Sequence, residues 1–252
     1  MGLSPSESGK SFFGPLAAVA AGIILCLAGC NGVTATGRNS EGVRMFQQGR
    51  YQDALREFQE ASYADASNPD SYYNLAATYH RTGRLYNRPA DLKQAEDLYN
   101  QCLDRKPDHR DCYRGLAVLL AEQGRSDEAF RLLQGWVDRQ PGSADAKIEL
   151  ARLFDEMGER NAAKAHLLEA LAIDPDNTRA LVAIGRVRES LGEHGPALAA
   201  YQRAWAQDNR QPELAARIAS LQAATIPPSG GYPAPNGDTT IRWVNGPNAT
   251  RR

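Results

Sequence analysis

Residues 107–141 read PDHRDCYRGLAVLLAEQGRSDEAFRLLQGWVDRQP, and the fold is decided here. Tyr113, Leu116, Ala117 and Leu120 recur at the three-and-four spacing of an amphipathic helix. Gly124-Arg125 stops that helix, because glycine takes the left-handed conformation of a helix end without a steric cost. Ser126 is placed to cap a second helix, with Asp127 and Glu128 in the first turn, where the helix dipole favours acid. Ala129, Leu133 and Trp136 make its inner face, and Pro141 ends it. Ala117 and Ala129 are small where the two helices would cross closely.

This stretch is one period of a longer pattern. Pro107, Pro141 and Pro175 lie 34 residues apart, as do Gly124, Gly158 and Gly192, and Ala129, Ala163 and Ala197. A fixed period with proline, glycine and alanine in phase marks an array of helical hairpins, each of which needs a neighbour to bury its apolar face. A fourth unit follows without a gap through Leu150, Ala151, Phe154, Leu167 and Ala170. A fifth carries Leu181, Ile184, Gly185, Tyr201 and Ala204, with Asn209 in place of the terminal proline. The second unit (Tyr72, Leu75, Ala76, Tyr79, Gly83, then Ala95, Tyr99 and Cys102) holds seven extra residues between Gly83 and Ala95. They read as part of a long loop that includes Leu85–Ala90 and is available for a partner. The first unit is the most degenerate: Gly42, Met45, Gly49, Ala54, Phe58, Ala61.

The pattern resembles the tetratricopeptide repeat, a 34-residue helix–turn–helix, with Tyr72 and Tyr113 where that family carries its signature Trp. The resemblance covers residues 35–211, in units near 35–68, 69–109, 110–143, 144–177 and 178–211. It implies an all-α chain, a right-handed α-solenoid of about five units. Residues 212–224, with Leu214, Ile218 and Leu221 on one face, add a capping helix for the exposed end. Residues 225–252 are rich in Pro and Gly and read as a disordered tail; within it Thr239–Val244 is β-prone, either an added strand for a partner's sheet or a plain tail.

At the other end, Phe12–Gly29 runs 18 residues without a charge into Leu27-Ala28-Gly29-Cys30. An aliphatic residue, two small ones and Cys resemble the bacterial lipobox. The resemblance implies that 1–29 is a cleaved signal peptide, that Cys30 carries lipid and that 30–34 is a short linker. An uncleaved membrane anchor is the alternative reading, since 18 apolar residues approach spanning length. Asn31, where an Asp would signal the inner membrane, implies the periplasmic face of the outer membrane in a bacterial cell envelope.

The formal net charge of −1 argues against nucleic acid, whose binders carry a basic face. His80, His109, His166 and His194 fall in different units or joints and form no HExxH pair. No nucleophile elbow or phosphate loop is present, so no catalytic residue, cofactor or small-molecule substrate is expected. Cys102, His109 and Cys112 have a ligand inventory but poor spacing for zinc, and no metal is expected. Cys102 and Cys112 are either a disulfide or two buried thiols.

The family resemblance further implies a concave groove lined by the first helix of each hairpin. Its residues here are Tyr73, Asn74, His80 and Arg81 in the second unit, Arg114 in the third, Arg152 in the fourth, and Arg179 and Arg186 in the fifth. Arginine mixed with apolar residues suits an extended peptide or protein segment, though a solvated face reads the same way. The expectation is a lipid-anchored, non-enzymatic scaffold in envelope assembly or pilus and secretion biogenesis. An adaptor that regulates cell-wall hydrolases is the alternative.

Overall fold

The computed structural model of the chain describes residues 34–225; the apolar N-terminal run, Cys30 and the Pro/Gly-rich C-terminal stretch lie outside them. All regular structure among the described residues is helical. The first hairpin is α1 (34–47) and α2 (Tyr51–Ala64), and the second is α3 (Pro69–Leu85) and α4 (Pro89–Arg105). Then come α5 (Arg110–Glu122) with α6 (Ser126–Arg139), α7 (Ala144–Glu156) with α8 (Arg160–Ile173), and α9 (Thr178–Ser190) with α10 (His194–Gln207). A solitary α11 (Pro212–Thr225) packs on α10 and closes the array. No described helix is long and apolar enough to cross a membrane.

The turn chemistry follows the period. Gly124, Gly158 and Gly192 sit at φ of 76°, 82° and 77°, the left-handed region that ends a helix. Helices α3, α5, α7 and α9 start on a side-chain cap. Asn68, Ser143 and Asn177 each accept a backbone N–H of the first turn, and His109 does so at α5. The even helices start differently. Ser126, expected as a cap, is already the first residue of α6; the cap position is Arg125, whose side chain makes no capping bond. A guanidinium has no acceptor to offer, and the turn is instead closed by Arg125 N–H donating to Leu120 O at 2.9 Å.

The seven-residue insertion is not a loop. α3 has 17 residues against 13 in α5, and α4 has 17 against 14 in α6, so the insertion lengthens two adjoining helix ends. Gly83 does not stop α3. It is buried inside the helix, where a Cβ would lie 2.7 Å from Leu92 Cδ2. The stop has moved to Asn87, at φ 50°, and the link is only Tyr86–Arg88. Asparagine tolerates this conformation better than other side chains.

Packing follows one rule. From α2 onward each helix touches its sequence neighbours, and α3, α5, α7 and α9 also touch one another in turn, while no even helix reaches another even one. The odd helices therefore form the tight inner layer and the even ones the splayed outer layer. Alanine makes this close approach possible: Ala117, Ala151, Ala163, Ala170, Ala180 and Ala197 are all essentially inaccessible. Tyr113 fills the place of the signature Trp by stacking on Trp136 at 4.1 Å between centroids. The core runs from Met45 to Leu153 as one cluster, then continues as two smaller ones through α7–α10 and α9–α11.

Candidate functional site

The inner layer repeats its register every 34 residues. Asp111, Asp145 and Arg179 share one position, Arg114, Ile148 and Val182 a second, and Val118, Arg152 and Arg186 a third. A fourth holds Gly115 and Ala183 in the flanking units but Glu149 in α7. A side chain at this position faces the neighbouring inner helices, so the Glu149 carboxylate is wholly buried. Burying a lone carboxylate would be prohibitive, and the ion is kept by close cationic partners. Arg114 Nε donates to Glu149 Oε2 at 3.1 Å, Arg152 Nε to the same oxygen at 3.2 Å, and Arg179 Nη2 to Oε1. Arg179 also pairs with Asp145, and Arg152 with Glu156.

This corrects the expectation that Arg114, Arg152 and Arg179 simply face a partner. They form a latch across α5, α7 and α9 with Glu149 at its centre, and Arg152 and Arg179 are largely committed to it. Glu149 was missed although it stands at the position that Asn74 holds in α3, because in α5 and α9 that position carries Gly115 and Ala183. The available signal was a charge standing where the neighbouring units hold Gly115 and Ala183.

Beside the latch is a cavity of about 310 Å³ between α7 and α9. Its floor is apolar, made by the buried side chains of Ile148, Ala151, Leu167 and Val187. Arg114, Arg152, Arg179 and Arg186 stand in its wall with a single carboxylate, Asp155. Arg186 is exposed, and its side chain makes no hydrogen bond or ion pair among the described residues. Arg152 Nη2 is buried without an acceptor, and a buried donor left unpaired costs about 1–3 kcal/mol. Val182, Arg186 and Gln211 continue into a second cavity of about 260 Å³, bounded by Tyr201, Leu214 and Arg217. There Tyr201 Oη and Arg217 Nε both donate to Glu189 Oε2, at 3.2 and 2.8 Å. Burial, with the Glu189 charge beside it, pushes the Tyr201 phenol up to about 12.

Tyr73 and Asn74 belong to a different cavity, about 510 Å³, among α1, α3 and α5. Tyr73 stacks on His109 at 5.8 Å. Asn74 Nδ2 donates to Asn39 Oδ1 at 3.4 Å, and Asn39 Nδ2 donates to Ser71 Oγ at 2.9 Å. Asp111 closes one wall; burial raises its carboxyl, but the hydrogen bond and charge of Arg110 outweigh that and hold it low.

His80 and Arg81 do not join either group. His80 is buried, with Nε2 2.9 Å from Glu122 Oε2 and Nδ1 3.5 Å from Tyr99 Oη, so it ties α3 to α5 rather than facing the groove. Glu122 also pairs with Arg84 at 2.7 Å. Arg81 turns to Tyr51 Oη at 3.4 Å, at the start of α2.

The sulfur atoms of Cys102 and Cys112 lie 1.90 Å apart with a Cα separation of 6.5 Å, the geometry of a disulfide between α4 and α5. The fold also brings His109 to them: the three ligand atoms fall within 4.8 Å. Its Nδ1 accepts the Cys112 N–H at 3.2 Å, and its Nε2 faces Asp70 Oδ1 at 3.0 Å. With the sulfurs joined no thiolate is left for a cation, and both imidazole nitrogens are engaged.

Tetratricopeptide repeat models match residues 42–83, 90–144 and 120–184, together more than half of the chain. A search of curated proteins returns no match. Among solved structures, TTC0263, a thermophilic TPR protein of Thermus thermophilus, is 26% identical with a TM-score of 0.58, over 75% of this chain and 99% of that one. Pseudomonas aeruginosa pilF, 18% identical with a TM-score of 0.50 over 77% of this chain and 91% of that one, is a likeness of fold alone. Hairpin phase, inner-layer packing and family matches converge on one conclusion: the chain belongs to the tetratricopeptide repeat family.

Proposed function

We propose that this protein is a non-enzymatic scaffold that holds an extended segment of a partner protein along the concave face of its repeats, tethered to a bacterial envelope membrane through lipid on Cys30. The observation that carries the binding role is the line of cavities on the inner layer, the first of which joins an apolar floor to a buried donor without an acceptor, Arg152 Nη2. Solenoids use such concave surfaces to bind along their length. The tether rests on the uncharged run ending in Leu27-Ala28-Gly29-Cys30. Acyl chains would concentrate the groove at the membrane, on its outer-membrane periplasmic side given Asn31, where assembly of pili or secretion machinery takes place.

Two measurements test this reading. A photo-crosslinking residue at Tyr73 or Val182 is expected to capture protein bands from native membranes that one at Leu168, exposed on α8, does not. Equal capture from both faces would remove the groove. Cys30→Ala is expected to lose lipid label and to leave the membrane fraction; retention with unchanged size would remove the lipid tether.

A further inference from the structure

Resting on that groove reading, we infer that the α7–α9 cavity selects an internal acidic–aliphatic stretch of its partner: an aliphatic side chain on the apolar floor, with a neighbouring Asp or Glu carboxylate held by Arg186 and the free face of Arg114. Four observations lead there. The cavity, about 310 Å³, lies at the low end of the range of about 300–1,000 Å³ for small-ligand sites, and its floor is lined by Ile148, Ala151, Leu167 and Val187. It thus accepts one or two apolar side chains.

The wall carries four guanidinium groups against one carboxylate, Asp155. Three of the four cations are pinned by Glu149 behind the wall, so their positions are set before any ligand arrives. Such preorganised donors favour a planar carboxylate, which two N–H groups of one arginine engage together.

Donors also outnumber acceptors. Arg186 has no partner among the described residues, and Arg114 keeps 44% of its side chain exposed while bonding Glu149 through Nε. Arg152 Nη2, in the same wall, has no acceptor at all. A bound carboxylate supplies what this wall lacks, whereas a basic segment would be repelled by the unpaired Arg186 and would find the acceptors Glu149, Asp145 and Glu156 already taken by arginines.

Continuity decides between an internal stretch and a chain end. Val182, Arg186 and Gln211 line both this cavity and the next one toward α11, so the trough does not stop at the arginines. A segment seated here runs on past them, and its own terminus is not required.

The test is selection of a random twelve-residue display library on the full chain in detergent micelles, followed by fluorescence anisotropy with the enriched sequences as amidated peptides. Enrichment of Asp or Glu beside Leu, Ile or Val is expected. The binding should weaken about ten-fold or more when that acid becomes its amide, or in Arg186→Glu, as charge-assisted bonds of this kind are worth that much. Arg186 is exposed and unpaired, so the substitution leaves the fold intact, which circular dichroism checks. Enriched peptides that lack an acid, or that ignore both changes, would overturn this inference and leave the groove reading standing. No enrichment above empty micelles would overturn both.

Discussion

Replacing Glu149 by Gln keeps the volume of a buried side chain and removes only its charge. In the native chain that charge accepts from three guanidinium groups, two of them at 3.1 and 3.2 Å. Removing one partner of a buried ion pair costs about 3–5 kcal/mol when the others stay buried. Here the arginine side chains keep 44%, 17% and 30% of their surface, so Arg114 and Arg179 can turn to water and Arg152 can do so least. Discounting for that leaves about 2–4 kcal/mol, most of it at Arg152. For a chain of this size each kcal/mol moves the midpoint by about 2–4 °C, so a fall of about 5–15 °C is expected. The assay is thermal unfolding followed by far-ultraviolet circular dichroism, with Glu156→Gln as the control. Glu156 pairs with the same Arg152 but is half exposed, and its loss should cost no more than about 1 kcal/mol. Equal shifts for the two variants, or a Glu149→Gln midpoint within about 2 °C of the native one, would refute the latch as a stabilising element.

Gly185→Ala should destabilise although alanine is the better helix former by about 1 kcal/mol. Its Cβ would sit 2.4 Å from Tyr201 Cε1, on a ring that is 2% exposed and bonded through its hydroxyl, and overpacking of that kind costs about 1–3 kcal/mol; a rise in midpoint would count against the crossing geometry. Cys102 and Cys112 should be silent to a thiol reagent in the unfolded, unreduced chain, and breaking the pair should cost about 2–3 kcal/mol for a link of sequence separation 10. Two reactive thiols, or bound zinc in the isolated protein, would contradict the disulfide. Asn87→Gly should be neutral or stabilising and Asn87→Val destabilising by about 1–2 kcal/mol in urea titrations, because of the left-handed backbone there; the reverse order would refute the assigned turn.

The repeat was legible because it depends on local chemistry. Glycine stops such as Gly124, Gly158 and Gly192 and small residues such as Ala129 and Ala163 are demanded wherever a hairpin turns or crosses, so they return in phase. What was not legible depends on neighbours in space. Gly83 looked like a stop because it follows the right spacing from Tyr72, yet a helix continues through it when the next helix also starts later. His80 read as a groove residue from its position along α3, but Glu122 and Tyr99, 42 and 19 residues away, give it a buried place. Arg114, Arg152 and Arg179 were found by register, and their confinement was not, since it comes from one carboxylate at a position that the two flanking units fill with Gly115 and Ala183.

The rule that inner helices touch their successors while outer helices never meet has a mechanical side. An array with no lateral struts on its convex side bends like a leaf spring, and the compliance lies in the joints between hairpins. The α7–α9 cavity draws its walls from α5, α7 and α9, so it spans two of those joints. Whatever fills it must stiffen both, and the pitch of the whole superhelix then reports whether the seat is taken.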